Sequence, residues 1–254
     1  YGGKIHPNFG SAYEQTPGQF YNFGTDYEQD ERIGLGVQYK IEDLGMLKNL
    51  RVSLETYYLD TSLLSTSLIS GPALDDPNAD RLRLYTRGAF GPSNTGGLNS
   101  FTAAIRGGHA EQGLTYQASL TREETDDPTG RTELGESFGA SYDPSGDGIP
   151  LTSRIGVTPF LEYTHFDNFQ NIAGLERHYA VGGLNFTDGR WQLAAAGGLR
   201  KSEGALTDTD TQENLTLTYT VMEHLDVGAG INHTHIAGVG SWGFGPSLSY
   251  TLAF

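Results

Sequence analysis

The chain has 254 residues, a formal net charge of −15, no cysteine and 37 % hydrophobic residues, with a negative mean hydropathy. The acidic balance excludes a nucleic-acid binder, whose phosphate partners demand basic surfaces. No run of about 18 apolar residues occurs, so a helical membrane span is excluded, and the lack of thiols suits an oxidising envelope compartment.

The sequence alternates instead. Tyr1 to His6 reads as a first strand, and Arg32 to Glu42 carries Ile33, Leu35, Val37, Tyr39 and Ile41 on one face, the period of two that marks a half-buried strand. Leu50 to Leu59 follows with Leu50, Val52, Leu54 and Tyr58 on its apolar side, then Ser100 to Arg106 and Leu114 to Thr121. Glu136 to Tyr142, Arg154 to Phe166, His178 to Thr187 and Trp191 to Arg200 repeat the pattern, as do Glu213 to Val221 and Leu225 to Thr234. The last strand begins at Trp242, which makes twelve. No signal-peptide pattern precedes the first strand, as expected of a mature or trimmed chain.

The links between strands alternate in length. Short ones are expected near residues 43–49, 107–113, 143–150, 188–189 and 222–224. Long ones are expected near 7–30, 60–97, 123–134, 167–175, 201–211 and 235–241. Short turns on one side and long loops on the other are a property of outer-membrane barrels. Counting back from Phe254 puts both chain ends at the short-turn rim, as an even-stranded closed barrel requires.

The stretch Trp242-Gly-Phe244-Gly-Pro-Ser-Leu248-Ser-Tyr250-Thr-Leu252-Ala-Phe254 has one apolar, aromatic-ended face and one face of small residues. It resembles the terminal strand of a bacterial outer-membrane β-barrel, and the chain as a whole resembles a Gram-negative outer-membrane porin. The resemblance implies a single domain over residues 1–254, an antiparallel up-and-down transmembrane β-barrel of about twelve strands, located in the outer membrane. Its expected activity is passive diffusion of small hydrophilic solutes and ions, with no cofactor and no metal. Expected partners are outer-membrane lipid, lipopolysaccharide and further copies of the chain in a trimer. Tyr1 to Gly10 and Gly91 to Gly96 are similar to segments lying in mid-chain in larger general-porin-like proteins, which leaves open a barrel with further strands upstream.

If the aliphatic parity faces lipid, the other parity faces the lumen. That set includes Lys4, Arg32, Lys40, Arg51, Glu55, Arg106, Arg154, Glu162 and Arg200, the expected pore lining. Internal ion pairs that merely stiffen the wall are the alternative. Lys4, Arg32, Lys40, Arg51 and Arg106 come from the first four strands and form a basic strip, whereas carboxylates crowd the long loops. Because loop carboxylates outnumber lumen cations, weak cation preference is expected for small ions. The longest link, Asp60 to Gly97, is the expected constriction element, with Arg81, Arg83 and Arg87 in or near the pore or, equally, turned to lipopolysaccharide phosphates.

Other chemistry is weakly signalled. Asp143 to Gly148 has the opening of a calcium loop but Arg154 at the twelfth position, so a Pro/Gly turn accounts for it. Asp208, Asp210 and Glu213 could hold a divalent ion. His233 with Ser241, or His165 with Asp167, could be arranged as an outer-leaflet hydrolase site, but no nucleophile motif accompanies them. An autotransporter-type translocation barrel is the third class.

Overall fold

The computed structural model describes residues 1–15, 23–29, 32–45, 47–61, 91–109, 113–143, 148–152 and 154–250. Strand β1 (Gly2–Ile5) is followed by one helical turn, α1 (Ala12–Gln15), and a 3-10 turn at Phe23–Asp26. Then come β2 (Arg32–Leu44), β3 (Leu47–Leu59), β4 (Ser100–His109), β5 (Leu114–Glu123) and β6 (Glu133–Tyr142). A two-residue strand, β7 (Ile149–Pro150), precedes β8 (Gly156–Asp167), β9 (Leu175–Asp188), β10 (Trp191–Gly204), β11 (Asp208–Met222), β12 (Leu225–Ile236) and β13 (Val239–Tyr250).

All these strands join one antiparallel sheet in which sequence neighbours pair in order, with β7 laid beside β8 off the main path. The remaining twelve strands answer one to one to the twelve predicted. Among the described residues no ladder joins β13 back to β1, and no helix is long and apolar enough to cross a membrane.

The link expected to be long at 235–241 is in fact a tight turn. Ile236 pairs with Val239, and Ala237 and Gly238 both take positive φ, 51° and 79°, the geometry that matches the twist of a hairpin. The strands outlast the apolar pattern because the ladder satisfies backbone groups whatever the side chains are. β11 runs for 15 residues, more than the roughly 9–11 needed to span hydrocarbon.

Alternation sorts the side chains onto two surfaces. On the outer one, each strand from β2 to β13 on the main path presents an exposed apolar residue: Leu35, Leu54, Ile105, Leu120, Phe138, Leu161, Leu184, Leu199, Leu217, Ile231 and Phe244. Tyr39, Tyr142, Trp191 and Tyr250 sit exposed toward the short-turn end, with Trp191 against Tyr219 at 4.6 Å. Tyr163 and Trp242 mark the opposite end. An apolar belt edged by rings is the surface a bilayer requires.

The inner surface is polar and covered by chain. Residues 8–15 and Asp26 bond to β3 (Asn8 to Glu55), β5 (Gly10 to Ser119), β8 (Ser11 to Glu162), β9 (Asn185 to the Gln15 carbonyl) and β10 (Arg200 to Asp26). Laid flat at ~4.8 Å per strand, those strands would extend over roughly 29 Å. The sheet instead curls round the segment, so that one short stretch touches all of them.

Candidate functional site: the inner face and the segment that fills it

The described parts of the link between β1 and β2, residues 7–15 and 23–29, turn inward, although this link was expected to be an external loop. Its aromatic residues explain why: Phe9, Phe23 and Tyr27 are buried and form a cluster with Phe160, Phe166, Phe169, Leu175, Tyr179 and Val181 of the wall. Tyr27 meets Tyr179 edge-on at 5.1 Å, a favoured ring geometry. Glycines in the wall and in the segment itself make room for these rings. A Cβ at Gly198 would lie 2.9 Å from Phe23, and one at Gly10, where φ is +71°, would lie 2.7 Å from the Tyr27 ring.

Three carboxylates hold the segment. Glu162 of β8, 1 % exposed, accepts the Ser11 backbone N–H (2.6 Å), the Ser11 hydroxyl (2.8 Å), the Ala12 N–H (3.1 Å), the Tyr27 hydroxyl (2.7 Å) and the Gln117 amide (3.4 Å). A buried carboxylate satisfied by this many donors is the condition under which burying one is tolerated. Glu55 of β3 accepts the Asn8 backbone N–H at 3.0 Å, the Asn8 side-chain amide and the Tyr1 hydroxyl. Asp26, within the segment, accepts Arg200 Nη1 at 2.8 Å, while Asp210 of β11 takes Arg200 Nε at 2.8 Å and Nη2 at 2.7 Å. The Arg200 guanidinium also lies 4.9 Å from the Phe23 ring centroid, within cation–π range.

The far end of the segment joins a hydroxyl network. The Tyr57 hydroxyl reaches Gln29 Oε1 (2.9 Å), Thr102 (2.9 Å) and Thr121 (2.8 Å). Next to it, buried Arg32 pairs with Glu123 at 3.1 Å, which also accepts the Ser93 hydroxyl at 2.8 Å.

A different arrangement lies nearer the short-turn end. Lys40, Arg51 and Arg106 stand directly opposite one another on β2, β3 and β4, and the same row continues through Gln117, Gly139 and Glu162. Like charges placed opposite one another are unfavourable, so stability does not account for the row. Lys40 is 4.0 Å from Glu42 and Arg106 3.0 Å from Glu14, while Arg51 has no carboxylate within ion-pair distance among the described residues. Beside Arg106 is a cavity of about 80 Å³ whose wall includes Glu14, Gln117 and Glu162.

The other expected lining residues are placed differently. Lys4 is half-exposed and 3.7 Å from Asp60. Arg154 lies in the turn before β8, its side chain 80 % exposed and 3.8 Å from Asp188, apart from the row. Arg81, Arg83 and Arg87 fall outside the described residues. Glu14, Asp26, Gln29, Tyr57, Glu123 and Asp210 belong to the site but not to the expected set. The surplus of aromatic residues between Pro7 and Asp30 was the signal for an inward segment.

The weaker chemistry resolves plainly. Ser241 pairs with Thr234, their hydroxyls 2.7 Å apart, whereas His233 on the opposite face bonds Glu213 at 3.0 Å and lies 4.4 Å from the Trp242 ring. The two therefore make no nucleophile–base contact. Asp143 accepts the Gly148 N–H at 2.8 Å, closing a turn. In the β5–β6 loop, the Thr129 backbone N–H and hydroxyl hold the Asp127 carboxyl below the ordinary carboxylate value.

The belted outer surface, the antiparallel path and the polar, partly filled interior define a porin-like antiparallel β-barrel fold. Among solved structures, the outer-membrane channel DcaP of Acinetobacter baumannii superposes with a TM-score of 0.61 at 14 % identity, covering 98 % of this chain and 70 % of that one. A porin refined at 1.8 Å resolution gives a TM-score of 0.48 at 10 % identity over 91 % of this chain and 65 % of that one. The KdgM porin gives 0.39 at 8 % identity over 87 % and 92 %. No protein-family model matches the sequence, and no curated protein matches it. At 14 % identity the likeness to DcaP carries the fold alone.

Proposed function

We propose that the chain is a passive diffusion channel of a Gram-negative outer membrane, admitting small hydrophilic solutes and ions past a constriction formed by the inward-turned residues 7–15 and 23–29. The observation that carries this reading is the segment itself. It is anchored by Glu55, Ser119, Glu162, Asn185 and Arg200 to five strands of the wall, the arrangement expected of an element that narrows a water-filled lumen without closing it.

Lys40, Arg51 and Arg106 then line the passage beside the constriction, with Lys4, Arg32, Glu55, Glu162 and Arg200 fixing its shape and charge, and Arg154 at the rim. The row creates a positive strip in a low-dielectric wall, where fixed charges act strongly on passing ions. Acidic groups at the long-loop side raise the local cation concentration within a Debye length, ~8 Å at physiological salt. Lipopolysaccharide contacts and a trimeric assembly fit the same reading.

Single-channel conductance of the purified protein in a planar bilayer under a salt gradient tests the proposal. Discrete open steps with a measurable reversal potential are expected. Correctly inserted protein that conducts nothing would reject it.

A further inference from the structure

One group of side chains on the outer surface takes no part in the lumen. His165 of β8 and His178 of β9 are direct cross-strand partners, and their rings stack at 4.5 Å with 19° between planes. Glu176 lies two residues before His178 on the same face. One ligand atom from each of His165, Glu176 and His178 lies within 4.8 Å of the other two.

The position of the group is set by register. Phe138, Tyr163, Ala180 and Leu199 form one cross-strand row of the apolar belt, and the next row toward the long-loop side is Glu136, His165, His178 and Lys201. The cluster therefore stands just above the belt, where water replaces hydrocarbon.

Two details point to a bound cation rather than to a chance cluster. Among the described residues His165 Nε2 is buried and has no hydrogen-bond partner; Asp167 lies 3.7 Å from it, and Glu136 lies 3.6 Å from Nδ1 of the same ring. An acceptor or donor held in that state costs free energy unless something else occupies it. Meanwhile His178 Nδ1 lies 2.9 Å from the Tyr163 hydroxyl. In the tautomer whose Nδ1–H donates to Tyr163, Nε2 keeps its lone pair for a metal, and the outer partner fixes the ring.

We propose that His165, His178 and Glu176 bind a zinc-class divalent transition ion on the outer face of the barrel. Two imidazoles and one carboxylate form a donor set that suits zinc, with water completing the tetrahedron. The same set disfavours magnesium and calcium, which select all-oxygen ligands. Bonds of ~2.0 Å imply ligand atoms roughly 3.3 Å apart, so atoms now within 4.8 Å of one another must close in and the stacked rings must turn out of parallel for both lone pairs to meet the ion. The ion would tie β8 to β9 at the level of the lipid headgroups.

The test uses the whole chain folded in detergent, with Zn²⁺ alone as the probe. In competition with a chromophoric chelator, one equivalent is expected to bind, and His178→Asn or His165→Asn should weaken it at least tenfold, while His233→Asn should not. Mass-spectrometric mapping of diethylpyrocarbonate labelling on the unsubstituted protein gives a second readout that needs no variant: Zn²⁺ should shield His165 and His178 selectively. Binding no tighter in the parent than in His165→Asn or His178→Asn, or shielding of neither histidine, would overturn the proposal.

Discussion

Arg200 on the wall and Asp26 in the inward segment meet at 2.8 Å although 174 residues separate them in the chain. Arg200 is also the hub of a second pair, with Asp210. The contact thus ties the segment to two strands at once. Replacing Arg200 with Met should leave two buried carboxylates unpaired and destabilise the fold by roughly 3–5 kcal/mol. The midpoint of urea unfolding in detergent measures this. A double-mutant cycle with Asp26→Asn separates the inter-segment pair from the rest, and a coupling near zero would show that the contact does not hold the segment.

Glu162→Ala removes the acceptor of five hydrogen bonds on residues 11, 12, 27 and 117. The wall ladders on either side do not depend on it. The expected outcome is a folded barrel with larger, noisier single-channel steps, because the segment loses its central anchor. Unaltered conductance would argue that the segment does not set the pore width.

Arg51 offers the cleanest test of charge. It sits between Lys40 and Arg106 in the row without a carboxylate partner among the described residues, so Arg51→Gln changes the field without breaking an ion pair seen there. The reversal potential in a salt gradient should move toward cations. Arg154→Gln, at the exposed rim, should move it far less. Equal shifts for the two variants would reject the assignment of Arg51 to the passage.

Leu161, in the middle of the outer belt and exposed in the isolated chain, should face lipid. Leu161→Arg is expected to cost roughly 2–4 kcal/mol if it lies near the midplane. The fraction migrating as folded, heat-modifiable protein after refolding into vesicles reports it. An undiminished folded fraction would mean that this face does not meet hydrocarbon.

The wall was legible in the sequence because its rule is local. Leu35, Leu54, Ile105 and their counterparts are spaced by two, and that alone gave the face, the parity and the strand order. Parity also put Arg32, Glu55, Glu162 and Arg200 on the inner face. The inward segment was misjudged for a physical reason: its partners are remote. Nothing near Ser11 in the chain announces Glu162, about 150 residues away, and a loop of mixed polarity looks solvated until its partner is known. The clue was compositional. Phe9, Phe20, Tyr21, Phe23 and Tyr27 are too many rings for a water-facing link. The His165–His178 pairing was equally hidden, since opposition across strands follows from register rather than from spacing.

The ladder between β1 and β2 spans only four residue pairs, Gly2 with Leu35 to Ile5 with Arg32, whereas β9 and β10 share fourteen. Amide hydrogens in β1, and those of Asn8, Ser11 and Ala12 that rest on carboxylates instead of on a neighbouring strand, should therefore exchange with heavy water through small local openings. Those of β9 and β10 should wait for far larger ones. The lumen-filling element and the wall would then behave as separate cooperative units, able to rearrange on different timescales within one chain.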